Sequence, residues 1–407
     1  MKKIAFSIFI LAFCVRVLYM FLFPPRSMNL DDSYQWRNSA LHFMQGQGFL
    51  THTEDLDPKR PPVYPLFLAG VYRLFGPGNV RMILLSQIIV SAFTCVGLLY
   101  LGKMLLGQWE GVLAGTFASV YPPLIIYANI MQSETVFTAI LMAYALLWAS
   151  YLRENRLRDL VGSGGCLGLL NLCRGTMLLF PLLLLVLSVL LVRNKKLLRH
   201  YGVMAALSVL IVAPWTWRNY KVYHAFIPIV SGGPELLWFG TMPISVQKQY
   251  GFAPEYQALR APQEPKAFDQ FFAALARKNI LDNPVGYLSL TGKKFIYFLA
   301  KPIGHELLSE RSKVLGHVLL AGHFLLFILF LNGIIVTRLA YSRLYPLYLI
   351  IGYFTVFHTG LMPMPRFRLP VEPFVLLLVS AGVVGAYNFW QNKFKVRNEV
   401  HPYEKID

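Results

Sequence analysis

The feature that most constrains this chain is the recurrence of apolar segments near 20 residues long. A helix of that length spans the roughly 30 Å hydrocarbon core of a bilayer, and helices satisfy every backbone N–H and C=O internally once water is absent. The first such segment follows Met1-Lys2-Lys3 and runs to Phe23. It is too long for the apolar region of a signal peptide and no small-residue cleavage site follows, so a retained first helix is expected. Nine more lie at roughly 82–101, 111–128, 132–151, 160–174, 176–192, 201–217, 314–336, 344–362 and 371–390. Composition agrees: 56% of residues are hydrophobic and 14% charged, against about 25% charged in soluble domains. A soluble globular protein is excluded, and the expected fold class is an all-α integral membrane bundle of about ten helices. An eleventh crossing at Tyr287–Leu299 is the less favoured alternative, because Lys293-Lys294 interrupts it and it is short.

Ten crossings put both termini on one side of the membrane. Alternation groups Lys2, Lys3, Lys103, Arg153, Arg156, Arg158, Arg193, Lys195, Lys196, Arg199, Arg338, Arg343, Lys393, Lys395 and Arg397 on that side, which the positive-inside rule makes cytoplasmic. The expected organisation is one membrane unit over 1–392 followed by a basic cytoplasmic tail over 393–407. Two long loops, 24–81 and 218–313, fall on the outer face with the short turns at 129–131, 174–176 and 363–370. In the second loop, Phe268, Phe271, Phe272 and Leu275 follow helical spacing and predict an amphipathic helix lying on the bilayer. Tyr287–Leu299 reads as a second interfacial helix.

A net charge of +18, from 38 Lys+Arg against 20 Asp+Glu, suits anionic lipid headgroups or a phosphate-bearing substrate. The basic residues track the loops and form no groove-reading element, so a nucleic-acid partner is not expected. Cys14, Cys95, Cys166 and Cys173 lie in apolar segments without metal-ligand spacing and read as core residues. Arg16, midway along the first helix, is expected to pair inside the bundle.

The polar residues with chemical potential gather near the outer face. Asp31-Asp32-Ser33-Tyr34 follows the first crossing. Adjacent carboxylates can hold a divalent metal, or one can act as base while the other orients it; an acidic helix cap is the structural alternative. Lys59-Arg60-Pro61-Pro62-Val63-Tyr64-Pro65 holds a cation on a proline-fixed backbone, suited to a phosphate or to lipid headgroups. Glu134 and Arg174 stand at the outer ends of apolar helices, where an unpaired charge is costly; Glu134 also suits a helix N-terminus. Beyond Pro214-Trp215 come Arg218-Asn219, then Ser231-Gly232-Gly233-Pro234-Glu235 and Trp238-Phe239-Gly240. Those glycines permit close backbone approach by a ligand, and the aromatics suit sugar faces or the membrane interface. Arg366 and Arg368, within Pro365-Arg366-Phe367-Arg368-Leu369-Pro370, form a candidate anion clamp, and Lys301, His305 and His358 are further polar candidates.

In this order and placement the motifs resemble those of bacterial GT-C glycosyltransferases of family 39, relatives of the protein O-mannosyltransferases and the lipid A aminoarabinose transferase. The resemblance rests on Asp31-Asp32-Ser33-Tyr34, Arg60-Pro61-Pro62-Val63-Tyr64-Pro65, Ser133-Glu134, Pro214-Trp215, Arg218-Asn219, the Gly233 to Gly240 stretch and Arg366-Phe367-Arg368-Leu369-Pro370. It implies a GT-C bundle in the bacterial plasma membrane. The implied activity moves a sugar from a polyprenyl-phosphate donor to a protein, lipid or glycan acceptor on the extracytoplasmic face. It also carries the family's catalytic acid to Asp31; Asp32 stands where the family commonly has Glu. Asp31 is then the expected base, with Asp32 orienting it or sharing a divalent metal. Arg60, Arg174, Arg366 and Arg368 are the candidate phosphate clamps, with Tyr64, Glu134 and Arg218 as further substrate-binding candidates. Direct displacement at the sugar C1 predicts inversion.

A transporter or flippase of a lipid-linked or anionic substrate is the alternative from another class. Transporters usually hold their charges at the midplane on broken helices of paired halves, whereas here the polar groups collect at one face. An intramembrane aspartyl protease needs two aspartates on different helices, and none lies within the ten crossings. A non-catalytic scaffold would tolerate Asp31→Asn.

Overall fold

The computed structural model describes residues 1–23, 31–49, 60–192, 195–247, 256, 259, 261–262, 264–304 and 312–400. Before the long central helices come α1 (Lys2–Leu22), α2 (Asp31–Met44) and α3 (Val63–Phe75). Next, α4 (Val80–Leu105) starts where the Asn79 side chain accepts from the Met82 N–H at 3.3 Å, replacing one helix-start donor's missing partner. The following span divides into α5 (Gln108–Val120) and α6 (Pro122–Ala128), bent by 53°. Pro122 and Pro123 cause the break: neither has an N–H, so the carbonyls of Ala118 and Ser119 lose their helical donors. Arg16 supplies substitutes, reaching Ser119 O at 2.9 Å and Ala118 O at 3.1 Å, with Ser91 Oγ at 2.9 Å. The charge expected to pair inside the bundle is completely buried and fastens α1 to the bend.

Beyond the bend, α7 (Glu134–Glu154), α8 (Leu157–Cys173), α9 (Phe180–Leu187) and α10 (Lys195–Tyr223) complete the first half. The outer loop contributes α11 (Gly233–Phe239), α12 (Ile244–Gln247), α13 (Pro265–Asp282) and α14 (Pro284–Ala300). The chain ends with α15 (Lys313–Thr337), α16 (Tyr341–Gly360) and α17 (Glu372–Val400). Helices α4, α5 and α7 form the centre; α1 packs on α4 and α5, α8 joins α7 to α10, and α17 joins α5 to α15.

Each of the ten apolar segments is largely helical, and the described residues form an all-α membrane bundle. Among the described residues six helical stretches are long and apolar enough to cross a bilayer, and the α5–α6 pair, taken as one bent span, makes a seventh. The other three are less simple: α8 has 17 residues, 176–192 divides into short helical pieces, and α16 carries Pro346. Mean hydropathy registers apolar content and is blind to such breaks. Helix α17 also continues through 393–400, within the stretch expected as a tail.

The amphipathic helix of the outer loop is present as α13, with a correction to what covers it. Phe272 is fully buried against Trp238 and Phe239 of α11, with Phe268, Phe271 and Leu275 packed on the same cluster. Helical spacing identifies an apolar face without specifying its partner, and here that partner is protein rather than lipid. Helix α14 leaves Val285, Leu288 and Ile296 exposed and buries Lys294. Its ammonium donates to Gly240 O at 3.0 Å, Gly360 O at 3.3 Å and Leu361 O at 2.9 Å. Those carbonyls lie at or just beyond the C-terminal ends of α11 and α16, where helices lack internal donors. The lysine that interrupts the apolar run is therefore the residue that docks the helix.

Glycine permits a close approach of α15 to α17. A Cβ on Gly333 would stand 1.9 Å from the Leu378 carbonyl oxygen, whereas one on Gly322, elsewhere on α15, meets nothing within 4 Å. Gly333→Ala is expected to lower the thermal midpoint in detergent, corresponding to about 1–3 kcal/mol of overpacking. Gly322→Ala should leave the midpoint unchanged or slightly raised; equal behaviour of the two variants would contradict this packing.

Candidate active site

Five separated stretches of chain meet at one end of the bundle. Helix α2 brings Asp32 to its first turn, and its position is set by Ser33 Oγ donating to Met131 O at 2.9 Å and by Trp36 against Tyr64, with ring centroids 5.2 Å apart. Arg60 enters on the Pro61-Pro62 stretch before α3. The α6–α7 turn supplies Gln132, Ser133 and Glu134, the end of α8 supplies Arg174, and the α16–α17 connection supplies Arg366 and Phe367. With His358 and the 228–236 segment, these groups line a cavity of about 390 Å³. The turns grouped on one face by alternation therefore come together around one space.

Asp32 is the electrostatic centre of one wall. Its Oδ1 lies 2.6 Å from Arg60 Nη2 and its Oδ2 lies 3.0 Å from Arg366 Nη2. Arg60 also donates through Nε to Gln35 Oε1 at 3.0 Å and rests over the Trp36 ring at 4.7 Å. Burial pushes the Asp32 carboxyl up, but Arg60 and then Arg366 outweigh it and hold the group well below the ordinary carboxylate range. A carboxylate engaged this way is a weak base and an effective anchor for two guanidiniums.

The opposite pair is Arg174 and Glu134, with Nη1 to Oε1 at 2.7 Å and Ser133 Oγ a further acceptor at 3.4 Å. Glu134 is 1% exposed, stands at the start of α7 and lines the cavity. Three buried atoms of the lining, Gln132 Nε2, Glu134 Oε2 and Arg366 Nε, have no hydrogen-bond partner among the described residues. Unmet buried donors and acceptors are costly in the free protein and suited to a polar ligand.

Other sequence candidates lie elsewhere. Arg368 is buried in its own network, donating to Glu372, Phe298 O and, at 3.0 Å, Leu299 O, while Tyr121 donates to Glu372 at 2.7 Å. It is absent from the cavity lining because Pro365–Val371 is a 3₁₀ helix, in which successive residues are about 120° apart, so that Arg368 projects on another side from Arg366. Arg218 stacks on Trp215 and Tyr223 at 5.0 and 5.3 Å, outside the cavity. Tyr64 is fully buried and donates to Gln87 at 2.6 Å, and Gln87 in turn holds Ala128 O and Ile130 O, so this tyrosine supports the α6–α7 turn. The Asp31 backbone opens α2; its side chain, like His305 and Lys59, lies outside the described residues. Lys301 contributes its carbonyl to Arg368 at 3.4 Å.

A divalent metal fits Asp32 poorly. Both its oxygens already accept from cations, and the same two guanidiniums repel a third positive charge. No group of three His, Cys, Asp or Glu side chains with metal-holding geometry occurs among the described residues.

Several lining residues had not been singled out from the sequence. Glu235 is 2% exposed, stands in the first turn of α11 and accepts from Tyr256 at 2.8 Å. An acid beside Gly232-Gly233-Pro234 was the available signal. Trp36 and Gln132 give no such signal, since their places depend on how α2 and the α6–α7 turn pack.

Stability should separate the two arginines of the last turn. Arg368→Leu leaves Glu372 buried without its cation and is expected to lose about 3–5 kcal/mol, while Arg366→Ala, at the cavity, should shift the thermal midpoint far less. For Asp32 the folded pKa is depressed, so its contribution is present above the unfolded value and lost as pH falls below about 4. The midpoint difference between the native chain and Asp32→Asn should therefore be constant near neutrality and shrink on acidification.

Residues 59–217 match the family model described as dolichyl-phosphate-mannose-protein mannosyltransferase. No curated protein sequence matches significantly. Among solved structures, the apo oligosaccharyltransferase of Archaeoglobus fulgidus aligns with 99% of this chain and 53% of its own at 13% identity, with TM-score 0.57. The same organism's AglB in complex with an inhibitory peptide and a dolichol-phosphate aligns with 100% of this chain and 53% of its own at 15% identity, TM-score 0.56. ArnT from Cupriavidus metallidurans bound to undecaprenyl phosphate gives 14% identity over 93% of this chain and 77% of its own, TM-score 0.45. The chain thus spans about half the length of the oligosaccharyltransferases it matches. Its helical order and its match over 59–217 give this chain the all-α membrane fold of the GT-C glycosyltransferases.

Proposed function

We propose that this protein is a membrane glycosyltransferase that takes a sugar from a polyprenyl-phosphate carrier and passes it, with inversion at C1, to an acceptor on the extracytoplasmic face. The observation that carries the reading is the convergence of Arg60, Arg174 and Arg366 with Asp32 and Glu134 on one cavity at the head of an apolar bundle. The match over 59–217 and the dolichol-phosphate in the AglB complex support a lipid-phosphate ligand. The localisation that follows is a bacterial plasma membrane, with both termini cytoplasmic and the cavity outside.

A departing lipid phosphate needs its charge stabilised more than it needs a proton. Arginines suit that task because their planar donors match phosphate oxygens in pairs. In the proposed reaction the acceptor hydroxyl gives its proton to Asp31 and its oxygen forms the new bond to C1. The C1–O bond to phosphate breaks, and polyprenyl phosphate leaves against the arginines. Asp32, held low by Arg60 and Arg366, keeps those cations in place instead of serving as the base.

Transfer of radiolabelled sugar from purified polyprenyl-phosphate donors by the detergent-solubilised chain tests this. Asp31→Asn should abolish transfer, and Arg366→Ala should lower turnover by about 10²–10³-fold. Excess chelator should leave the rate unchanged. Retention of configuration in the product would exclude the single displacement, and absence of donor binding by well-folded protein would remove the assignment.

A further inference from the structure

Arg174 and Arg366 come from distant parts of the chain and have different carboxylate partners, yet both rest over one ring. The Arg174 guanidinium carbon is 5.2 Å from the centroid of Phe367, and that of Arg366 is 5.3 Å from it. Phe367 itself lines the same cavity as both arginines. Its ring stacks with His358 at 4.9 Å and 28°, and His358 is 6% exposed among Phe298, Phe354 and Phe357. The ring is therefore fixed from behind by an aromatic cluster.

We propose that Phe367 is a positioning residue that holds the Arg174 and Arg366 guanidiniums together as one clamp for the donor phosphate. This rests on reading the cavity as a lipid-phosphate transferase site. Two guanidiniums repel each other, and among the described residues no carboxylate is ion-paired to both: Glu134 of α7 pairs with Arg174, its charge also reaching Arg366, and Asp32 of α2 pairs with Arg366. Phe367 is common to both. The negative face of an aromatic ring attracts a cation while leaving its N–H edges free for hydrogen bonds. Arg366 retains an Nε without a hydrogen-bond partner among the described residues, so the ring orients a cation whose donor capacity is not exhausted. A phosphate between the two can then accept from both forks without having to bring them together first, which lowers the ordering cost of binding. Arg60, held by Asp32, Gln35 and Trp36, has its own support and does not depend on this ring.

The test is binding of farnesyl phosphate to the purified 407-residue chain in detergent, by titration calorimetry, with thermal midpoints measured in parallel. Phe367→Leu should weaken binding roughly tenfold, within the range of two cation–π contacts, and Phe367→Tyr should stay within about twofold of the native chain. Combined with Arg366→Ala, Phe367→Leu should add less than it does alone, because one of its two clients is gone. If Phe367→Leu proves unstable, Phe367→Met, which fills similar volume without a ring, takes its place and should show the same loss. The proposal is overturned if Arg174→Ala and Arg366→Ala weaken binding while neither Phe367→Leu nor Phe367→Met does, or if Phe367→Tyr is as weak as Phe367→Leu. If the native chain does not bind farnesyl phosphate, the lipid-phosphate reading itself falls, an outcome separable from loss confined to the ring variants.

Discussion

The architecture depends on one buried charge meeting two prolines. Arg16 lies deep in an apolar helix, where an isolated guanidinium would be expelled. Pro122 and Pro123 leave the Ala118 and Ser119 carbonyls without helical donors, and Arg16 satisfies both. Two unfavourable features of the sequence thus cancel, and in doing so they set the 53° bend between α5 and α6. The bend delivers the 129–133 turn: Asn129 donates to Arg16 O at 3.3 Å, and Met131 O receives Ser33 at 2.9 Å. Through that relay a charge far down α1 places α2, and with it Asp32, at the cavity.

The cavity itself is organised by pairing of opposite charges that leaves some capacity unused. Asp32 holds two guanidiniums and Glu134 holds one. In the low dielectric of a bundle end such pairs are mutually dependent, since removing one member strands the other. Their acids also screen the arginines from one another in the free protein, so the site tolerates three cations before any anionic ligand arrives. The remaining unmet atoms, on Gln132, Glu134 and Arg366, are where a ligand gains most.

Much of this was legible in the chain. Apolar runs gave the all-α membrane class, and alternation of the loops placed the turns at 129–131, 174–176 and 363–370 with the two long loops. The cavity is lined from the turns at 174–176 and 363–370 and from 132–134, just after the first turn, because chain alternation is a topological rule independent of side-chain detail. Arg60, Glu134, Arg174 and Arg366 were also recognisable, being charges beside prolines or at ends of apolar helices. The site was less legible where neighbours decide orientation. Arg366 and Arg368 are two residues apart and look equivalent in sequence, yet one faces the cavity and the other is locked to Glu372. Tyr64 sits in a motif beside Arg60 but serves the α6–α7 turn through Gln87.

Sequence alone determined that this chain must span a membrane as helices, that Arg16 needs internal partners and that Arg60, Arg174 and Arg366 stand at loops or helix ends rather than within the apolar spans. Those follow from local composition and from the cost of unsatisfied polar groups in lipid, which every residue carries with it. Tertiary structure decided which arginines share a cavity, that Lys294 docks α14 on carbonyls at the ends of two other helices, and that α13 covers α11 with its aromatic face. Such outcomes depend on the direction of side chains and on partners hundreds of positions away, as with Tyr121 and Glu372. Periodicity supplies a face; packing chooses what meets it.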